Sequence, residues 1–172
     1  MSFDEFINKW NGKGIDTDGA FGFQCMDLMH KYVEEVLGLT DPRILAAPIA
    51  RQVYENFDNV FGHGFFTRIP NTPTGVPLKG DIFFWGSKLG PAGHVAIFMD
   101  GDVNAFRSFD QNFPLGSKCH IQNHNYNGAL GWLRIKNAPM NDTQKVNAIT
   151  VIMQSPNSDT DKVRDSKKVL GL

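Results

Sequence analysis

At 172 residues the chain can build one domain with a proper core but not two large ones. Hydrophobic residues make up 41% and aromatic residues 12%, with 14 Phe and 3 Trp, a composition that excludes a disordered polymer. Formal net charge is −1 and Lys and Arg are scattered, so the sequence carries no nucleic-acid footprint. Its longest apolar runs are far shorter than a membrane span, which leaves no transmembrane segment.

The first residues, MSFDEFINKW, lack a basic stretch followed by an apolar run and do not read as a secretory signal. They read as a short helix over 1–12, with Phe3, Phe6, Ile7 and Trp10 at helical spacing. Residues 12–23 are rich in Gly and Asp and form a loop. From Gln24 to Leu37 the pattern is helical again: Leu28, Met29, Tyr32, Val33, Val36 and Leu37 make one stripe, and Gly38 is a natural stop. A weaker helix is expected from Pro48 to Phe57. The Gly- and Pro-dense segment 62–80 reads as a long loop.

The period then changes. Asp81–Trp85, His94–Met99, Asp102–Phe109 and Ala129–Ile135 read as strands, with Asp100-Gly101 as a hairpin signal between the second and third. Helices followed by antiparallel strands indicate an α+β fold. Composition shifts near Asn137-Ala138-Pro139. A catalytic domain is therefore expected over 1–137, and an appendage over 138–172 that holds one apolar patch, Ala148–Met153.

Two cysteines allow at most one disulfide. Cys119 reads as a small buried hydrophobe. Cys25 falls where the loop ends and the amphipathic helix begins, where the helix's partial positive charge favours a thiolate. A thiolate nucleophile needs a base. Of five histidines, His94 alone stands at the lip of an expected sheet. An imidazole in turn needs a group to orient it, and Asp110 and Asn112 share one face at the end of the next strand. A strict two-residue turn at Asp100-Gly101 would pair His94 with Arg107 and throw Asp110 out of phase. A three-residue connection or a bulge is therefore expected, pairing His94 with about Ser108 and bringing Asp110 diagonally near.

The segment Asp16-Thr17-Asp18-Gly19-Ala20-Phe21-Gly22-Phe23-Gln24-Cys25-Met26-Asp27 places carboxylates at positions 1, 3 and 12, ligand positions of an EF-hand loop. Phe21 stands where an EF-hand needs Gly, so this is not one. Asp16, Asp18 and Asp27 can still wrap a hard cation, with Ala20 and Gly22 offering backbone carbonyls. Capping of the helix would explain Asp27 but not the other two.

Phe23-Gln24-Cys25-Met26-Asp27-Leu28, Gly80-Asp81-Ile82, Gly93-His94-Val95-Ala96-Ile97 and Phe109-Asp110-Gln111-Asn112 occur in that order. Together they resemble the CHAP family of cysteine amidohydrolases and peptidases common in bacteriophage lysins, over about residues 5–136. The resemblance implies a papain-like fold, with N-terminal helices packed on an antiparallel β-sheet. It implies hydrolysis of peptidoglycan amides, as an endopeptidase or an N-acetylmuramoyl-L-alanine amidase. It assigns Cys25 as nucleophile, His94 as general base, Asp110 as the orienting group and Asn112 as an assistant. Members often carry Glu where Asp110 stands; the shorter Asp must lie closer to the ring or leave the task to Asn112. The oxyanion donors expected are the Cys25 N–H and the Gln24 side chain. Many similar phage domains bind calcium in the loop before the cysteine, which implies a structural Ca²⁺ at Asp16, Asp18, Ala20, Gly22 and Asp27. The expected partner is bacterial peptidoglycan, and 138–172 either carries no targeting function or assembles with another phage protein. The protein is expected to be made in the host cytoplasm without a signal peptide and to act at the cell wall, free or on the virion. The competing class is a non-catalytic wall-binding or virion tail module, against which the intact Cys25, His94, Asp110 and Asn112 speak.

Overall fold

The computed structural model describes residues 1–136 together with Lys162, Val163 and Ser166. By compactness the chain divides into Met1–Lys136 and Asn137–Leu172. The apolar patch Ala148–Met153 and nearly all of the expected appendage lie outside the described residues.

Helix α1 spans Phe3–Trp10 and starts at a reciprocal cap: Glu5 N–H donates to Ser2 Oγ at 3.2 Å, and Ser2 N–H donates to the Glu5 carboxylate at 2.7 Å. It buries Phe3, Phe6 and Ile7, three of the four residues its spacing singled out, and leaves Trp10 half-buried. Helix α2 spans Cys25–Glu35 and buries Leu28, Met29, Tyr32 and Val33. It ends where Gly38 takes a left-handed φ of 70° and Leu39 N–H closes on the Val33 carbonyl at 3.1 Å. Helix α3, Ala50–Glu55, is shorter than the expected 48–57.

Six strands follow: β1 Phe66–Pro70, β2 Ile82–Trp85, β3 His94–Gly101, β4 Ala105–Asp110, β5 His120–Asn125 and β6 Ala129–Ile135. They form one antiparallel sheet in the order β1-β6-β2-β3-β4-β5. The expected α+β class holds. Two strands were not expected. β1 lies inside the segment read as loop, and as an edge strand it tolerates the terminal Pro70. β5, HIQNHN, is the other edge and carries polar residues on both faces, so no apolar period marks it.

The sheet is buried on both sides, which is why all four residues of β2 are inaccessible. One face presents Ile82, Phe84, Val95, Ile97, Phe109 and Leu133 to the helices. The other gathers Phe83, Trp85, Ala96, Phe98, Phe106 and Trp132 into an aromatic cluster. Phe83 stacks on Trp132 with centroids 6.1 Å apart and meets Phe106 at 4.7 Å.

Two glycines of the quoted motifs are required by close approach. A Cβ on Gly80, at φ 91°, would stand 2.7 Å from the Tyr32 hydroxyl, which donates to the Gly80 carbonyl at 2.8 Å. A Cβ on Gly93, at φ 69°, would collide with the Trp85 carbonyl and lie 2.7 Å from Arg51 Cβ. Asp81, between Gly80 and β2, is buried and receives both ends of the Arg134 guanidinium at 3.0 and 2.6 Å.

The β3–β4 hairpin contains both expected irregularities. Asp102–Asn104 form a three-residue connection between the strands, and the register slips between Phe98 and Asp100, leaving Met99 as a bulge. Asp100 and Gly101 belong to β3 and not to the turn, because Asp102 closes it instead: its N–H donates to the Ala105 carbonyl at 2.9 Å, and its carboxylate accepts from Asn104 and Ala105. The register also differs from the expected one. Ser108 pairs with Phe98, not with His94, and Ile97 pairs with Phe109. Asp110 still falls diagonally beside His94, on the same face.

Candidate active site

Cys25 is the first residue of α2, half-buried, and follows the N-cap Gln24. The N–H groups of a helix's first turn have no intrahelical acceptors, so the Cys25 N–H is open to another acceptor. His94 opens β3 and is buried. Its Nε2 lies 2.7 Å from Asp110 Oδ1, and Asp110, the last residue of β4, is completely buried. An ionised carboxylate only accepts, so Nε2 carries the hydrogen and Nδ1 is left for another partner. Cys25 lies close enough for its sulfur to favour the protonated ring. Burial opposes protonation of His94. The Asp110 carboxylate, by charge and hydrogen bond, and then Cys25 outweigh it and push the His94 pKa up to about 10. Asp110 shows the converse: burial raises its pKa, but His94 and His124 together hold it below the usual carboxylate value.

Asn112 does not approach the imidazole through any hydrogen bond it makes. At φ 65° it turns its Nδ2 to Gln24 Oε1 at 3.1 Å, and its Oδ1 accepts from Gly116 N–H at 2.6 Å. It ties the loop after β4 to the residue before Cys25. Gln24 Nε2 donates one hydrogen to the Phe21 carbonyl at 2.7 Å, which leaves its second hydrogen for another acceptor.

Two residues that the sequence reading gave no role also build the site. Gln111 is fully buried. Its Oε1 accepts from Ile15 N–H at 2.8 Å and from the Cys119 thiol at 3.0 Å, while its Nε2 donates to the Ile15 and Gln24 carbonyls at 2.8 and 2.7 Å. It anchors the loop that delivers Cys25. His124, on β5, reaches the second oxygen of Asp110 at 2.7 Å. Gln111 had a signal, its place inside the Phe109–Asn112 motif; His124 had none, because β5 has no apolar period.

The acidic loop converges as its spacing suggested. Oxygen atoms of Asp16, Asp18 and Asp27 lie within 4.8 Å of one another, with Asp16 and Asp18 exposed and Asp27 buried. Asp27 also organises the helix start: it accepts from Thr17 N–H and Oγ1 at 3.1 and 2.5 Å, and from Gln24 N–H at 2.9 Å. Asp16 and Asp18 each accept one loop N–H, from Gly19 and Ala20, at 2.8 Å. Oxygens at this separation fit a hard cation with ligand distances of about 2.3–2.6 Å. A groove of about 730 Å³ runs from Gln24 and Cys25 along α2, past His30 and Glu34, to Leu39 and Ile49.

The chain is 30% identical over 142 residues to the endolysin PlyTW of Staphylococcus phage Twort, covering 76% of this chain and 29% of that protein. It is 32% identical over 114 residues to the endolysin LysK of Staphylococcus phage K, covering 65% and 22%. A probable autolysin PH of Staphylococcus aureus matches at 32% over 103 residues, covering 59% and 20%. Among solved structures, the endolysin LysIME-EF1 matches with a TM-score of 0.61 and 28% identity, over 76% of this chain and 61% of that one. Ly7917 shares the fold, with a TM-score of 0.55 at 16% identity over 78% of this chain and 62% of that one. No family model matches the chain. Its homologues are thus staphylococcal phage endolysins and a probable autolysin, and a solved endolysin shares its α+β, papain-like fold, consistent with a CHAP-type lysin domain. The chain spans under a third of the length of the curated relatives it matches.

Proposed function

We propose that this chain is the catalytic domain of a phage peptidoglycan hydrolase that cuts amide bonds in the peptide part of the wall, with Cys25 as nucleophile. The observation that carries this reading is Cys25 at the start of α2 beside a buried histidine aligned by a buried carboxylate. The Cys25 thiolate attacks the amide carbonyl, and the oxyanion is met by the Cys25 N–H and the spare Gln24 hydrogen. The protonated His94 gives its Nδ1 proton to the leaving amine, and an acyl-thioester remains. His94 then takes a proton from water, whose oxygen attacks the thioester and frees the carboxylate product and Cys25. Asp110 holds the Nε2–H throughout, so the ring keeps one tautomer. The groove along α2 offers a path for a stem peptide to reach the sulfur. A wall-binding or tail module would have no use for this alignment.

Digestion of purified staphylococcal peptidoglycan tests the reading. Mass spectrometry should find fragments carrying one added water at an amide, with a new amine and a new carboxylate, and no new reducing sugar ends. The same spectra decide between the endopeptidase and amidase alternatives. Fragments cut only within the glycan would overturn the assignment.

We further propose that Asp16, Asp18 and Asp27, with the Ala20 and Gly22 carbonyls, hold a structural Ca²⁺. The ion would neutralise three crowded carboxylates and brace the loop that ends in the nucleophile; it is a poor generator of hydroxide and takes no part in bond cleavage. A ligand bound only by the native state at a hundred times its Kd stabilises by about 2.7 kcal/mol, roughly 5–10 °C in Tm for a domain of this size. EGTA should lower Tm by that amount and slow lysis, and added calcium should restore both. Asp18→Ala should melt at the chelated temperature with calcium present. Identical melts with and without EGTA would reduce the loop to a solvated turn.

A further inference from the structure

Asp110 is used twice. Its Oδ1 meets His94 on β3, and its Oδ2 meets His124 Nε2 on β5 at 2.7 Å and the Ser108 hydroxyl at 3.1 Å. His124 is itself enclosed. Its side chain is 6% exposed, and its ring lies 4.6 Å from Trp85 and 5.5 Å from Phe113. Phe113 also covers His94, at 5.2 Å. A carboxylate with one bound oxygen can turn about its last torsion, which is broad and weakly restrained. Holding the second oxygen from the opposite side removes that freedom.

We propose that His124 is a positioning residue: it locks the Asp110 carboxylate in the orientation in which Oδ1 receives the His94 Nε2–H. The inference rests on the thiol reading above. His124 is enclosed behind Asp110 by Trp85 and Phe113, so its loss should reach the reaction only through the alignment of His94 with Cys25. The effect belongs in kcat and not in substrate affinity.

The test uses the full chain on purified staphylococcal peptidoglycan, with initial rates over a range of wall concentrations. His124→Phe keeps the ring packing but donates nothing. It should lower kcat about tenfold while apparent KM stays within a factor of about two. Iodoacetamide should alkylate Cys25 more slowly in parallel. His124→Gln presents an amide N–H to Oδ2 and should recover most of kcat. Wild-type kcat in His124→Phe, or equal losses in the Phe and Gln variants, would overturn the proposal. Should His124→Phe fail to fold, His124→Asn, whose amide is too short to reach Oδ2, replaces it; equal rates for Asn and Gln then overturn it. Cys25→Ala runs alongside. Lysis by Cys25→Ala sinks the thiol reading itself, whereas an inert Cys25→Ala with a fully active His124→Phe sinks only the role of His124.

Discussion

Cys25→Ala is expected to abolish wall lysis, with a loss of about 10⁴-fold or more, while the melting temperature changes little. The sulfur is the atom that forms the thioester, and no neighbour can replace it. Cys119 is fully buried, and its thiol donates to Gln111 Oε1. Burial pushes the Cys119 pKa up to about 12, which keeps it protonated and unreactive. The fold should tolerate the loss of one partly exposed atom at a helix start. Cys119→Ser keeps a donor toward Gln111 and should retain most activity. Iodoacetamide near neutral pH should modify the native protein once, at Cys25, and extinguish lysis with the same time course. Near-wild-type clearing by Cys25→Ala, or inactivation that tracks Cys119 instead, would refute the assignment.

Asp110→Asn should cost about 10²–10⁴-fold in kcat and should change the response to pH. Burial alone would drive His94 neutral; the Asp110 charge is the first influence that reverses this and carries the pKa to about 10. With the charge removed, the imidazolium keeps only the half-buried Cys25 as a counter-ion, and the amide has an oxygen to offer Nε2–H but no negative charge. The alkaline limit of lysis should move from near pH 10 in the wild type toward the ordinary imidazole range or below. Stability follows the same sign. A histidine whose folded pKa is raised contributes stability that is fully present below its unfolded value of about 6.5 and is lost as pH rises through the folded value. Asp110, whose folded pKa is lowered, contributes above about pH 4 and loses its contribution as pH falls through the folded value. The Tm gap between wild type and variant should therefore be widest near pH 5–6.5 and should shrink toward pH 10. Breaking one side of a buried pair costs about 3–5 kcal/mol. Calorimetry across that range checks it, and a gap that grows with rising pH would contradict the charge assignment.

The shorter carboxylate raised a question that geometry answers. Asp110 Oδ1 reaches His94 directly, so alignment of the ring does not pass to Asn112, which faces Gln24 and Gly116. Asn112 and Gln111 act one step back, holding Gln24 and hence the first turn of α2. Their neighbours in sequence were legible as one motif, but their partners were not, because Ile15 and Gln24 are 96 and 87 residues away from Gln111 along the chain.

The sequence by itself determined the elements whose apolar period matches a buried face. α1 and α2 were readable because each buries residues at the repeat of its own backbone, and β2 and β6 because they are interior strands covered on both sides. It also determined that Cys25 begins a helix and that a bulged hairpin or a longer turn could place His94 and Asp110 on one face. The tertiary structure alone decided the edges and the register. β1 and β5 are held by backbone hydrogen bonds to β6 and β4, which any side chain permits, so polar residues and a proline conceal them. The slip at Met99 and the turn closed by the Asp102 side chain are set by the packing of β3 on β4, not by the local Asp-Gly signal. His124 became part of the site only because β5 pairs with β4, placing it opposite Phe106 and within reach of the same buried carboxylate as His94.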